Sequence, residues 1–419
     1  MRIVAVVAIV ATTALAACGG GEAGDAQVLR ADVEYRQVAL PDAPAVAAVV
    51  AATNEFGLGV LRAVDPEENL VFSPASAAVA LAMLGEGATN AGATELDTLL
   101  GASGDERSRA INALVGVLAP FDGDPAGVDD EDLPATPLVH VANNVVLDDQ
   151  ARVEDTFLAR LAEFHDAGVQ VADLASGSGK AVLDAWVREH TGGRVEESAI
   201  VPADDLWLVL QNAVLLAARW QQEFDPNATA EGPFTGATGE TQTVDFMNGL
   251  QELAYAEHEG WQAVELPYTD GFVARIVLPP AGEDPAAIES GALAALESAL
   301  AGPALRVSLS LPRFTIDSST QLRDPLAALG VTAIFDPAAR ALEGISPGAD
   351  LYVGQAVQQA TITVGEEGTV AAAVTEIGVA GTAAPEVDVV LTVDHPFLLV
   401  VEETSTGWDL FHALVRSIG

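Results

Sequence analysis

Few residues in this 419-residue chain are arranged to do chemistry of their own. Its six histidines form no metal-spaced cluster, and no G-x-S-x-G nucleophile elbow is present. Gly177-Ser178-Gly179-Lys180 begins like a phosphate loop, but Ala181 follows the lysine where Ser or Thr is needed, so it is read as a plain loop. His258-Glu259 lacks the second histidine of a zinc helix and is read as a surface turn. Asn227-Ala228-Thr229 is a glycosylation sequon by spelling only. No metal, cofactor or enzymatic activity is therefore expected. The stretch Gly365–Thr375 (GEEGTVAAAVT) is different, because its residue types suit a mechanical step. In an extended strand, alternate residues face opposite sides, so Thr369, Ala371, Ala373 and Thr375 share one face. All four are small enough to enter a packed interior without overfilling it, and Gly368 before them offers a pivot.

The elements that would receive such a strand follow from the apolar pattern. Ser76–Leu84 and Ala93–Leu100 have helical spacing, and Ala181–His190 reads as a helix ended by Gly192-Gly193. Val139–Leu147 is β-branched. Trp207–Ala218 is almost wholly apolar, as in a central strand buried on both faces. Val307–Ile316 alternates as one strand, and Ala360–Val364 and Val387–Val401 are strand-rich. Helices crowd the first half and strands the second, which predicts an α+β fold with large mixed sheets. The acidic, proline-bearing segment Phe121–Pro137 is read as an exposed loop. Half the residues are hydrophobic, and the formal charge is −43, from 61 acidic against 18 basic residues. That charge excludes nucleic acid as a partner and keeps an exported protein soluble.

The first residues carry a second signal. Arg2 precedes an apolar run too short to stay in a bilayer. The run ends in Leu15-Ala16-Ala17-Cys18, which resembles a bacterial lipobox, and Cys18 is the only cysteine. The resemblance implies a signal peptide over 1–17 and lipid on Cys18, anchoring an exported chain to the cell envelope, facing the periplasm or exterior. Residues 18–45 are expected to be anchor and flexible tether, and 46–419 one domain. No disulfide is possible within one chain, so the fold must rest on its core.

Four stretches, in order, resemble the serpin family. They are Asn69-Leu-Val-Phe-Ser73-Pro74-Ala-Ser76 running on to Gly85, Gly87 and Ala88; Asn212-Ala-Val-Leu-Leu-Ala-Ala-Arg-Trp220 with Phe224-Asp225-Pro226 and Pro233-Phe234; Gly365–Thr375; and Asp394-His395-Pro396-Phe397-Leu398 with Gly407 and Leu410-Phe411. The resemblance implies the serpin fold, with Ser73, Ser76, Asn212, Trp220 and Arg313 in the region where the sheet opens. It implies a hinge of Glu366, Glu367, Gly368, Thr369, Ala371, Ala373 and Thr375 in a reactive loop at about 366–388. Arg313 is expected to pair with Glu366. Val370 and Val374 depart from the family pattern on the opposite face, where bulk is better tolerated. Gln358 stands where His is frequent and Asp184 where Asn is usual, which alters the hydrogen bonds guarding the sheet.

Such a protein is a suicide substrate. A serine-type protease attacks the loop, forms an acyl-enzyme, and is disabled when the cut loop inserts into the sheet. The family count from Glu366 places the cut at Thr382–Ala383; a count back from the closing strand gives one residue later. Ala380, Gly381, Thr382, Ala383 and Ala384 are all small, which suits an elastase-like or subtilisin-like pocket. No Lys or Arg lies between Arg340 and Arg416, which argues against a trypsin-like target. The implied partners are a serine protease, covalently, and the membrane through Cys18, with the protein itself a monomer. The alternative is a non-inhibitory serpin serving as a binding or scaffold protein.

Overall fold

The computed structural model describes residues 27–65, 67–129, 132–348, 350–369 and 386–418. Two sheets and eight helices make up the described body. The helices are α1 (Val46–Arg62), α2 (Pro74–Gly85), α3 (Asn90–Leu99), α4 (Gly104–Leu118), α5 (Asp155–His165), α6 (Gly177–His190), α7 (Ser290–Leu300) and α8 (Arg323–Ala328). A seven-stranded sheet runs in the order β1 (Gln27–Leu29), β4 (Val169–Ala172), β3 (Leu138–Asp148), β5 (Leu208–Arg219), β13 (Gly368–Thr369), β12 (Gln355–Val364) and β11 (Phe314–Gln321). A nine-stranded sheet runs β14 (Val389–Thr392), β10 (Leu305–Pro312), β7 (Thr241–His258), β8 (Trp261–Pro267), β9 (Phe272–Leu278), β15 (Phe397–Glu403), β16 (Trp408–Val415) and β2 (Leu70–Phe72), with β6 (Ala230–Thr235) beside β7. None of the described helices is long and apolar enough to cross a membrane.

β5 is buried on both faces over nearly its whole length. Leu210, Val214, Leu216 and Ala218 point into the main core, and Val209 points the other way, into a smaller cluster under α6. The run of small residues in α2 (Ala75, Ala77, Ala78, Ala80, Ala82) lets that helix lie fully buried beneath the sheet. Its C-terminal neighbour Glu86 is fastened to α5. Burial alone would raise that carboxyl, but bonds from His165 and Ser108 and the charge of Arg160 hold it down at about 2. In the other sheet, Arg275 on β9 is buried among Glu265 (2.9 Å), Glu297 (3.1 Å) and Glu402 (3.2 Å).

Four expectations are corrected. The flexible tether does not extend to residue 45: Gln27–Leu29 pairs with Val169–Val171, Val38 and Ala43 are buried, and Asn112 takes the Val38 N–H at 2.6 Å. Val307–Ile316 is two strands. Pro312 ends β10 in one sheet, and after Arg313 the chain enters the other as β11, because a period of two says nothing about which sheet a strand joins. Gly177–Lys180 is the first turn of α6, capped by Ser176 Oγ on the Gly179 N–H at 3.0 Å. Phe121–Pro137 is not exposed throughout: Pro125 and Leu133 are buried, Leu133 against Leu215 and Ala217 of β5 with its carbonyl held by Arg219 at 2.7 Å.

Candidate functional site

The strand pair β5–β12 carries the site. The two run parallel and are hydrogen-bonded from Gln355↔Val209 to Ala360↔Val214. Beyond that point they part. Into the gap comes the chain that follows β12: a tight turn (Gly365 N to Gly368 O, 2.9 Å) returns it as β13, antiparallel to both neighbours. Gly368 faces Arg219, and Thr369 lies between Ala218 and Val364. Two residues of the expected hinge, Gly368 and Thr369, therefore already lie inside the sheet.

Side chains explain how it is held. A Cβ on Gly368 would stand 2.0 Å from the Ala218 carbonyl oxygen, so glycine serves close backbone approach here rather than a pivot. Thr369 is 1 % exposed, and its hydroxyl shares a hydrogen bond with Tyr268. The Tyr268 ring stacks on Trp220 at 4.5 Å, and burial pushes its phenol well above the usual value. Trp220 grips the turn with both nitrogens, the backbone N–H to Glu367 O (2.8 Å) and the indole N–H to Gly365 O (2.9 Å). Phe224 N–H adds a bond to Glu366 O.

The expected Arg313–Glu366 pair is present at 3.4 Å, and Glu366 also accepts from Thr229 Oγ1 at 2.7 Å. Its carboxylate is largely buried, unlike that of an ordinary surface pair. Glu367 is nearly buried beside Arg219 at 3.5 Å. Burial raises its pKa; Arg219 offsets this, while Glu223, Asp132 and Glu366 reinforce it.

Ser73, Ser76 and Asn212 meet lower down, where β5 and β12 are still paired. Ser73 caps α2 through the Ser76 N–H (3.2 Å). Gln358 of β12 accepts from the Ser73 N–H (2.6 Å) and donates to Ser73 O (3.0 Å) and Asn212 Oδ1 (2.6 Å). Asn212 in turn donates to Ser76 and Asn143. All of Ser73, Ser76, Asn212 and Gln358 are at most 4 % exposed, so breaking this lock without replacement leaves buried polar groups unpaired. A glutamine here does not titrate, so the lock holds the same charge at every pH where histidine would change.

Two groups thus emerge along one seam: Trp220, Arg313, Glu366, Glu367, Gly368 and Thr369 at its open end, and Ser73, Ser76 and Asn212 at its closed part. Tyr268, Thr229, Arg219 and Asn143 were not foreseen. Ala371, Ala373, Thr375, Thr382, Ala383 and Cys18 lie outside the described residues.

The serpin (serine protease inhibitor) family model matches residues 51–418. The leukocyte elastase inhibitor of Bos taurus is 30 % identical over 370 residues, covering 83 % of this chain and 92 % of that protein. Iripin-1 of Ixodes ricinus is 29 % identical over 382 residues, covering 88 % and 94 %. Among solved structures, the thermophilic serpin Tengpin in its native state superposes with a TM-score of 0.79 at 22 % identity, over 94 % of this chain and 100 % of that one. Human thyroxine-binding globulin gives 0.73 at 21 % identity, over 89 % and 99 %. An α+β body with a loop returning between two parted parallel strands defines the class, and the chain belongs to the serpin family. The family is named for serine protease inhibition and not for catalysis, so no catalytic activity is assigned.

Proposed function

We propose that this protein inhibits a serine-type endopeptidase as a suicide substrate, by cleavage of its loop and insertion of the freed part between β5 and β12. The observation that carries the reading is β13: the segment that must enter the sheet has already begun to, in the right place and direction. Continuing that register into the inserted form sets Ala371 beside Leu216 and Ile362, Ala373 beside Val214 and Ala360, and Thr375 beside Asn212 and Gln358. The small apolar side chains then face the apolar core, and the threonine faces the polar lock.

About 15 inserted residues at roughly 3.3 Å each carry a bound protease some 50 Å. New strand hydrogen bonds at about 1 kcal/mol each supply on the order of 10 kcal/mol. That is comparable with the stability of a whole domain, about 5–15 kcal/mol, and enough to deform the captured active site. Losing one oxyanion-hole donor slows deacylation about 10²–10³-fold, which strands the acyl-enzyme. The small residues Ala380–Ala384, with a cut at Thr382–Ala383 or one bond later, point to an elastase-like or subtilisin-like target, a choice in keeping with the name of the bovine relative. Export and a lipid anchor on Cys18 belong to the same proposal and rest on the Leu15–Cys18 motif.

Incubation with pancreatic elastase or subtilisin is expected to give an SDS-resistant complex and to release a C-terminal peptide whose mass fixes the cut. Cleavage with neither a complex nor a gain in melting temperature would refute inhibition and favour the binding-protein alternative.

A further inference from the structure

We infer that this protein faces the membrane with the pole opposite its reactive loop, so that insertion carries the captured protease toward the bilayer. The inference deepens the function proposed above and rests on both of its parts, insertion of the loop and lipid on Cys18. What carries it is the place where the N-terminal chain is fastened. Gln27 stands opposite Val171, Val171 beside Leu147, and Leu147 opposite Leu208, so β1 joins the seven-stranded sheet at the level where β5 begins. β4 runs with β3 toward that lower end, and β1 is antiparallel to β4. The chain before Gln27 therefore arrives from below the sheet. The attachment is firm. Arg30 pairs with Asp166 and donates to its carbonyl at 2.7 Å, the Arg36 N–H bonds Glu163 O at 3.0 Å, and Val38 is buried with its N–H held by Asn112. Only nine peptide steps then separate Cys18 from Gln27, a reach of at most about 30 Å. A tether running to residue 45 would span about 95 Å and leave every orientation open.

The loop leaves the sheet at the other end. Thr369 pairs with Ala218, at the far end of β5 from Leu208 and about 33 Å above the level of Gln27. In the register of β13 the inserted strand runs downward and brings Val379 beside Leu208, so Thr382 would lie about 10 Å below that level. Four strand spacings, about 19 Å, separate the inserted strand from β1. A protease acylated at the loop thus ends at the tethered pole. A compact protease of about 250 residues is roughly 45 Å across, wider than the gap the tether spans. It cannot hang free beneath the sheet. The body tips about its β1 edge, and the protease lies against the lipid headgroups.

The test uses the chain from residue 18 onward, which contains every described residue, coupled through Cys18, its only thiol, to maleimide lipid in phosphatidylcholine vesicles. A second form carries about 30 added Gly/Ser residues after Gly21, a tether that reaches over about 100 Å at full stretch. Donor-labelled pancreatic elastase is added, and energy transfer to an acceptor in the headgroups is followed beside formation of the SDS-resistant complex. With the native tether, transfer is expected to rise at least about twofold as the complex forms, since the protease moves some 50 Å toward the bilayer. With the long tether the rise should be less than about half as large, because the protease then has room to stand off. Flat or falling transfer on the native tether overturns the inference, as do equal rises in the two forms. The underlying readings fail differently, and each takes the inference with it. Absence of an SDS-resistant complex from the uncoupled chain refutes insertion, whereas a full chain expressed in bacteria that stays as soluble as Cys18→Ser refutes the anchor.

Discussion

On the proposed mechanism, replacing Thr369 by arginine should leave a plain protease substrate. Thr369 is 1 % exposed, between Ala218 and Val364 and against the Tyr268 hydroxyl, with no carboxylate among the described residues bonded to it. An arginine there either leaves a charge buried without a partner, at a cost of several kcal/mol, or forces β13 out of the sheet and forfeits its hydrogen bonds. A barrier higher by about 3–5 kcal/mol slows insertion roughly 10²–10⁴-fold. Inhibition is a race between insertion and hydrolysis of the acyl-enzyme, so a delay of that size lets the protease escape. The assay titrates a fixed amount of protease with Thr369→Arg and with Thr369→Ser, which keeps the hydroxyl and loses only a methyl group. Arginine should give cleaved protein and no SDS-resistant complex, with its gain in melting temperature delayed by the same factor, while serine should behave as wild type. One-to-one inhibition by Thr369→Arg would refute the reasoning, since the buried position seen for Thr369 would then not be on the route to inhibition.

Two further outcomes follow from polar groups in the interior. Gln358→Ala leaves the Ser73 N–H and Asn212 Oδ1 unpaired in the core, and should destabilise the native form by about 2–4 kcal/mol in denaturant titrations. Glu402 is pushed up to about 7 by burial, only partly offset by Arg275, while its unfolded carboxyl titrates near 4.5. The folded state therefore holds that proton more tightly, the group favours folding fully below its unfolded value, and this is lost as pH rises toward 7. Glu402→Gln should raise stability at pH 8 by roughly 3 kcal/mol, order of magnitude, and flatten the stability profile between about pH 5 and 8; an unchanged profile in melts across that range would reject the assignment.

The core of the site was legible because strand and helix periods are short-range. The apolar run Trp207–Ala218 announced β5, while the Arg313–Glu366 pair came from the family resemblance rather than from any period, and the two do meet. What the sequence concealed depends on register across long separations. Tyr268 reaches Thr369 from the end of another hairpin, and Arg219 faces Glu367 only because β13 docks at that step of the ladder. Gly368 looked like a swivel because glycine's freedom is visible in a sequence, whereas the carbonyl pressed against it is not. β1 was hidden for a similar reason: Gln27-Val28-Leu29 is held by backbone pairing, with little apolar burial to mark it.

The far side of the loop has a consequence for what remains after use. Val389–Thr392 lies alongside Val307–Ser310, and the chain after it supplies β15 and β16, two neighbouring buried strands of the nine-stranded sheet. Scission anywhere between Thr369 and Glu386 would sever the polypeptide without dividing the particle. The upstream end would travel away into one sheet while the downstream end stayed moored in the other. If the loop inserts as proposed, ends drawn so far apart do not meet again to be rejoined, and each molecule answers once and is spent.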